Sequence, residues 1–424
     1  MTDDSLANSL NRHCHCISVN QDVLQASLEI RLGEAGAWSR LQESHPHLLA
    51  DSPVFISHRQ IRQMQELIEA IERVVSLETF REQVLSWAPP IARHNPGAHG
   101  VFFGYDFHLT NDGPQLIEIN TNAGGALLLQ QVASAQQACC NEVENFVTGR
   151  VDTADLEMTF VEMFRDELRA QLPGRELRRV AVVDENPAEQ YLSPEFTLFA
   201  RMFEHHGIKA IVTGPEAFTL EDGQLLVDEK PVDLVYNRLT DFYLQSPACA
   251  VLSRAYRQEA AVITPSPYTH AMYANKRNLT VLCDPDWLRE LGVDAVTVET
   301  LQRSVPKTEL VTTENADSLW SERKRLFFKP VWGFGSRGTY KGAKLTRKTW
   351  DAIVGADYIA QQLVAPSERL IVRDGNEHAL KLDVRCYTYR GEIQLLGARM
   401  YRGQTTNFRT DGGGLAAVFT APGG

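Results

Sequence analysis

Between residues 101 and 120 the chain reads VFFGYDFHLTNDGPQLIEIN. Two apolar, strand-like runs flank Asn111-Asp112-Gly113, and Asx-Gly between apolar runs predicts a β-hairpin. Side chains two apart on a strand share a face, so Glu118 and Asn120 project together, and the hairpin brings Asp106 alongside. A Glu-x-Asn pair on an otherwise apolar strand is costly to bury without partners. Two carboxylates and an amide oxygen are hard ligands suited to Mg²⁺. This hairpin therefore predicts a metal site in preference to a solvated strand face.

A second chemical segment, Phe328-Lys329-Pro330-Val331-Trp332-Gly333-Phe334-Gly335-Ser336-Arg337-Gly338, sets a lysine at a strand end before three glycines. Glycines let successive backbone N–H groups converge on an anion, and the lysine adds a point charge for phosphate. The spacing is neither that of a P-loop nor that of a dinucleotide fingerprint. A third segment, Lys381-Leu-Asp383-Val-Arg385 with Ala398-Arg399 on the adjacent strand, supplies arginines suited to a carboxylate or a developing oxyanion. The net charge of -12 argues against nucleic-acid or anionic-membrane partners, which want a basic surface.

The organisation is that of several cores in 424 residues. Residues 1–94 read as a helical region; Ser57 is the expected cap of a helix with Ile61, Met64, Leu67, Ile68 and Ile71 on one face. The metal-binding strands lie in 95–150. From 175 to 270, strand-like RRVAVVDE, KAIVTG, VDLVYNR and AVITPS alternate with helices and predict an α/β domain with a mostly parallel sheet. Residues 271–364 carry LFFKPV, the glycine loop and DYIAQQLV, and 365–424 carry a hairpin turning at Arg390-Gly391 and a glycine-rich end.

These segments together resemble the ATP-grasp superfamily, in particular its glutathione synthetase and D-alanine ligase branches. Gly104-Tyr-Asp106…Glu118-Ile-Asn120 is similar to that family's terminal metal motif. Asn275-Lys276 looks like its first ATP lysine and Lys329 like its second; Val305-Pro306-Lys307-Thr308 looks like the strand entry between them. The resemblance implies that Gly333, Gly335 and Ser336 close on the triphosphate. It also implies that Gln361, Gln362 and Leu363 form the adenine hinge and that Glu368 takes the ribose. Asp383, Arg385, Arg399, Asn407 and Gly413 resemble the segment for acyl phosphate and substrate.

The order departs from the family's. The Asp…Glu-x-Asn motif precedes the lysines by well over a hundred residues instead of ending the domain. The expected fold is therefore a circularly permuted ATP-grasp of α/β (α+β) class, with an additional α/β pre-grasp domain and a helical N-terminal region. Permutation is tolerable because only spatial adjacency matters to a site. Glutathionylspermidine-synthetase-like proteins are permuted similarly, but no amidase domain is recognisable here.

The resemblance implies an ATP- and Mg²⁺-dependent ligase, with two ions, that joins a carboxylate to an amine through an acyl phosphate. Arg399 and Arg385 would be its catalytic cations, and the substrate an amino acid or small peptide. An ATP-grasp kinase or phosphotransferase, and a non-catalytic nucleotide-binding protein, are the alternatives. ATP is an anion, so the positive charge must be concentrated locally in this acidic chain. The seven cysteines are irregularly spaced, which suits reduced thiols. With no apolar run of about 18 residues and no basic-then-apolar N-terminus, a cytoplasmic protein is expected. His13-Cys14-His15-Cys16 lacks a second ligand pair at zinc-site spacing, and Cys139-Cys140 read as small buried hydrophobes. The helical region either covers the site or mediates homo-oligomerisation.

Overall fold

In the computed structural model, which describes residues 3–15, 19–135, 153–333, 335 and 337–421, Ser57 closes a capping box with Gln60 and starts the helix His58–Val75. Its Oγ accepts from Gln60 N at 3.0 Å, and Gln60 Oε1 accepts from Ser57 N at 3.0 Å. Met64, Leu67, Ile68, Ile71 and Val74 are buried on one face of this helix, the 3–4 spacing expected of an amphipathic segment. Before the cap lies Val54–Ser57 (β1), a strand inside the stretch expected to be helical. All four of its residues are buried, so it shows no alternation of the kind that marks a half-exposed strand.

The predicted hairpin forms from Phe103–Thr110 (β2) and Gly113–Asn120 (β3). The next strands are Arg179–Val183 (β4), Lys209–Thr213 (β5), Phe218–Glu221 (β6), Gln224–Val227 (β7), Lys230–Pro231 (β8), Leu234–Asn237 (β9) and Val262–Thr264 (β10). Four of these make a wholly parallel sheet in the order β10-β9-β4-β5. Helices Ser193–His205 and Thr153–Gln171 pack against it. β6, β7 and β8 form a small antiparallel sheet around the Gly223 turn.

Thr308–Leu310 (β11), Leu326–Pro330 (β12), Tyr340–Lys341 (β13) and Tyr358–Gln362 (β14) form an antiparallel sheet in the order β11-β14-β12-β13. Its separate core holds Phe328, Trp350, Leu319 and Ile353. The last strands are Ser367–Arg373 (β15), Asn376–Tyr389 (β16), Glu392–Tyr401 (β17) and Gly414–Ala421 (β18). They join the first ones in a seven-stranded sheet, β1-β18-β17-β16-β2-β3, with β15 also paired to β16. One sheet thus contains residues from both ends of the chain. β18 runs parallel to β1, so Gly414–Ala421 is a strand that follows the Gly412-Gly413 turn.

Among the described residues no helix is long and apolar enough to cross a membrane. Among the described residues Cys249, Cys283 and Cys386 form no disulfide. Cys16, Cys139 and Cys140 lie outside the described residues, as does Ser336.

Candidate active site

Residues opposite one another in an antiparallel pair project to the same face. β2 sets Asp106 opposite Glu118 on β3 and opposite Arg385 on β16. Two residues along β16, Asp383 stands opposite Arg399 on β17. Glu118, Asp106, Arg385, Asp383 and Arg399 therefore form one polar field on one face of the sheet.

The field is knit by charge-assisted bonds. Arg385 Nε donates to Asp106 Oδ1 at 2.6 Å and its Nη2 to Oδ2 at 2.7 Å. Arg399 Nη2 donates to Asp106 Oδ2 at 2.8 Å, while its Nε donates to Asp383 Oδ1 at 2.6 Å. Thr406 Oγ1 satisfies Asp383 Oδ2 at 2.6 Å. Asp106 is 1% exposed. Burial works against the Arg399 charge, yet Asp106 and Asp383 more than offset it, and its pKa rises. Read from sequence, the carboxylates and the arginines were separate clusters; the structure makes them one network.

Gly104 leaves room for that network. A Cβ there would lie 2.6 Å from Ala123 Cβ and 3.1 Å from Arg385 Nε, so a larger residue would push the guanidinium off Asp106.

Two lysines face the field from other elements. Lys276 follows a π-helical turn, His270–Ala274, a distortion often found at functional sites. Its Nζ donates to Gly333 O at 2.8 Å and lies 3.7 Å from Glu118 Oε2. Lys329 on β12 donates to Ile117 O and to Gln361 Oε1, each at 2.8 Å. Burial alone would raise the Glu118 pKa, but Lys276, Lys329, Arg399 and Arg385 together hold it down to about 2. Burial lowers Lys329 to about 8, with Glu118 opposing and Lys276 reinforcing the shift.

These groups line a cavity of about 520 Å³ between the seven-stranded sheet and the β11-β14-β12-β13 sheet, a volume suited to a small ligand. Five lysines (276, 329, 341, 344 and 381) and Arg399 face three carboxylates, Asp106, Glu118 and Asp383, in its wall. In a chain of net charge -12, this is a local cationic funnel for a polyanion. Gln361, Gln362, Leu363, Gly333 and Gly335 also line it. Gly333 is required there: a Cβ would lie 2.2 Å from Pro330 Cγ.

The Asn120 amide nitrogen sits 3.0 Å from Asp106 Oδ2 and 3.4 Å from Glu118 Oε1. Its partial positive charge occupies the point where two carboxylates converge, which is where a cation would bridge them. Turning the amide over presents Oδ1 to that point and completes an all-oxygen donor set. Asp106, Glu118 and Asn120 therefore fit a hard cation such as Mg²⁺, with the arginines restraining Asp106.

Other predicted residues stand elsewhere. Arg385 is bonded to Asp106 from the neighbouring strand and is not part of the cavity lining. Glu368 on β15 is exposed, opposite Lys381 in register and outside the lining. Asn407 organises the loop after β17: its Nδ2 donates to Arg402 O and Thr405 O, and its Oδ1 accepts from Arg409 N. Gly413 is buried against Met400 O, where a Cβ would come within 2.5 Å. Lys307 is an exposed partner of Glu309 at 2.6 Å.

Sequence reasoning missed His108, Lys341 and Lys344. His108 Nδ1 lies 3.0 Å from Val364 O, which ties β2 to the segment after β14. Its position two residues beyond Asp106 on the same hairpin was the available signal. Lys341 and Lys344 carried no motif, because the β12–β13 pairing places them.

No family model matches the sequence, and neither does any curated protein. Solved structures do. A glutathione synthetase-like effector from Globodera pallida, in its apo form, aligns at a TM-score of 0.56 and 13% identity, covering 95% of this chain and 98% of that one. A putative gamma-glutamylcysteine synthetase from Methylobacillus flagellatus gives a TM-score of 0.47 at 9% identity, covering 85% and 87%. D-alanyl-alanine synthetase A from Vibrio cholerae gives 0.29 at 12%, covering 56% and 78%. At such identities the likeness concerns architecture and not activity, and it rests on the first of the three. The chain has an ATP-grasp-type fold.

Proposed function

We propose that this protein is an ATP- and Mg²⁺-dependent ligase that joins a carboxylate to an amine through an acyl phosphate. The observation that carries the reading is one cavity where Lys276 and Lys329 face Glu118, Asn120 and the Asp106–Arg399 pair. Phosphoryl transfer depends on positioning and charge neutralisation, not on a side-chain nucleophile, and no nucleophile is needed here.

In this reading Lys276 and Lys329 hold the phosphates, and Gly333 and Gly335 close over them. Gln361, Gln362 and Leu363 face the base; Gln361 Nε2 is buried with no hydrogen-bond partner among the described residues, so it has a donor to offer. Asp106, Glu118 and Asn120 hold Mg²⁺, which when bound neutralises charge on the transferring phosphoryl group. Arg399, anchored by two carboxylates, stabilises the oxyanion formed as the amine attacks. Asp383 and Thr406 keep that guanidinium oriented. Arg385 restrains Asp106 from the neighbouring strand.

The pairing of β2 with β16 supports the circular permutation, because the metal-binding hairpin occupies the sheet that the C-terminal strands build. The test is ATP turnover across panels of acids and amines, with mass spectrometry of the products. ADP release coupled to a condensed acid–amine product is expected. ADP release with a phosphorylated substrate, and no condensed product from any pair, would overturn the ligase reading.

A further inference from the structure

Outside the lining of this cavity, Glu157 on the helix Thr153–Gln171 is 3% exposed. Its Oε1 lies 2.9 Å from His205 Nδ1 and 3.2 Å from His206 Nε2. The two imidazoles are neighbours in sequence, yet they converge because His205 ends the helix Ser193–His205 and His206 is its C-cap, where the backbone turns. One ring offers Nδ1 and the other Nε2, and all three ligand atoms lie within 4.8 Å of one another.

Tetrahedral zinc with bonds near 2.0–2.1 Å separates its ligands by roughly 3.3 Å. The two Glu157–histidine distances are within a few tenths of an ångström of that value. Two imidazole nitrogens and one carboxylate oxygen also form a donor set that prefers Zn²⁺ to Mg²⁺ or Ca²⁺. Arg31, from the helix Gln21–Leu32, holds the other carboxylate oxygen, Glu157 Oε2. That contact leaves Oε1 as a one-toothed ligand and orients it, as hydrogen bonds to metal-bound carboxylates commonly do. His205 has 75% of its side chain exposed, and a groove of about 470 Å³ lies alongside, so an ion can enter and keep a fourth position for water.

We propose that Glu157, His205 and His206 form a zinc site distinct from the nucleotide cavity. The ion clamps the helices Thr153–Gln171 and Ser193–His205 together, with Arg31 attaching Gln21–Leu32 through the shared carboxylate. The site does not depend on the ligase reading.

The test uses the metal-free full-length protein, titrated with Co²⁺ and followed by visible absorption, then with Zn²⁺ against a chromogenic chelator. The expected result is one Co²⁺ with the intense bands of a low-symmetry, near-tetrahedral site, displaced by Zn²⁺, and a Zn²⁺-dependent rise in melting temperature. His205→Ala and His206→Ala should each weaken Zn²⁺ binding by more than about tenfold, the lower bound for disturbing even outer-shell groups of such sites. Exposed His205 makes its variant the safe arm, since it opens no cavity in the core and should leave the metal-free circular dichroism unchanged. Absence of Co²⁺ bands in the wild type, or Zn²⁺ affinity unchanged in His205→Ala, would overturn the proposal. The latter outcome would place any bound ion on other groups, such as the thiols.

Discussion

Arg385 grips both oxygens of Asp106, at 2.6 and 2.7 Å, from a strand 279 residues away in sequence. The two are opposite each other in the β2–β16 register, so sheet formation and assembly of the charged field are a single event. Removing one member of a buried ion pair leaves an uncompensated charge, at a cost of about 3–5 kcal/mol. Arg385→Ala should therefore lower unfolding stability by that order in urea titrations. A loss of activity with stability unchanged would show that Arg385 acts on substrate and does not restrain Asp106.

Glu118 is more accessible than Asp106, with 29% of its side chain exposed. Glu118→Gln keeps its shape and removes its charge. Turnover should fall by about 10²–10³-fold, the scale of losing one oriented electrostatic contact, with circular dichroism unchanged. Unaffected turnover would contradict the metal assignment. The same substitution removes the anion that raises the Lys329 pKa, and so should move that lysine's titration further below about 8.

Lys329 also predicts a pH dependence. Its proton is what attracts phosphate, so nucleotide affinity should decline as pH rises through about 8. A bound anion shifts that midpoint upward. Titration calorimetry across this range should show the decline in the wild type and lose it in Lys329→Met. For the free protein the sign is opposite: between about 8 and the ordinary lysine value of 10.5 the unfolded chain binds more protons. This lysine therefore makes stability increase with pH over that window.

Gly104→Ala is expected to destabilise by about 1–3 kcal/mol, the usual cost of overpacking. It should also reduce kcat, because the new methyl group, 3.1 Å from Arg385 Nε, displaces the guanidinium that restrains Asp106. Thermal unfolding and steady-state kinetics check the two effects. Normal stability and kinetics would show that the sheet relaxes around the added carbon.

Ser57→Ala removes the acceptor for Gln60 N and should cost about 1 kcal/mol, measured by chemical denaturation. Ser57→Asp should recover much of it, because an aspartate can cap the same N–H. Failure of that rescue would point instead to the Ser57 Oγ contact with Asp4 at 2.5 Å.

Features with a local cause were legible in the amino-acid sequence alone. Asn111-Asp112-Gly113 dictates a tight hairpin, Ser57 with Gln60 dictates a helix start, and the β/α alternation between 175 and 270 dictates a parallel sheet. Short spacing also put Glu118 and Asn120 on one strand face, whereas Lys276 was singled out only by resemblance to a known family. Long-range pairing was not legible, because a strand carries no mark of its distant partner. Only tertiary packing made Val54–Ser57 a strand against Gly414–Ala421, or set Arg385 on Asp106 and brought Lys341 and Lys344 into the cavity. Packing also placed Glu368 outside that cavity and turned Asn407 and Gly413 into loop supports. The Asp106–Glu118–Asn120 hairpin was written in twenty adjacent residues; the arginines that hold it came from the far end of the chain, where register alone decides what meets.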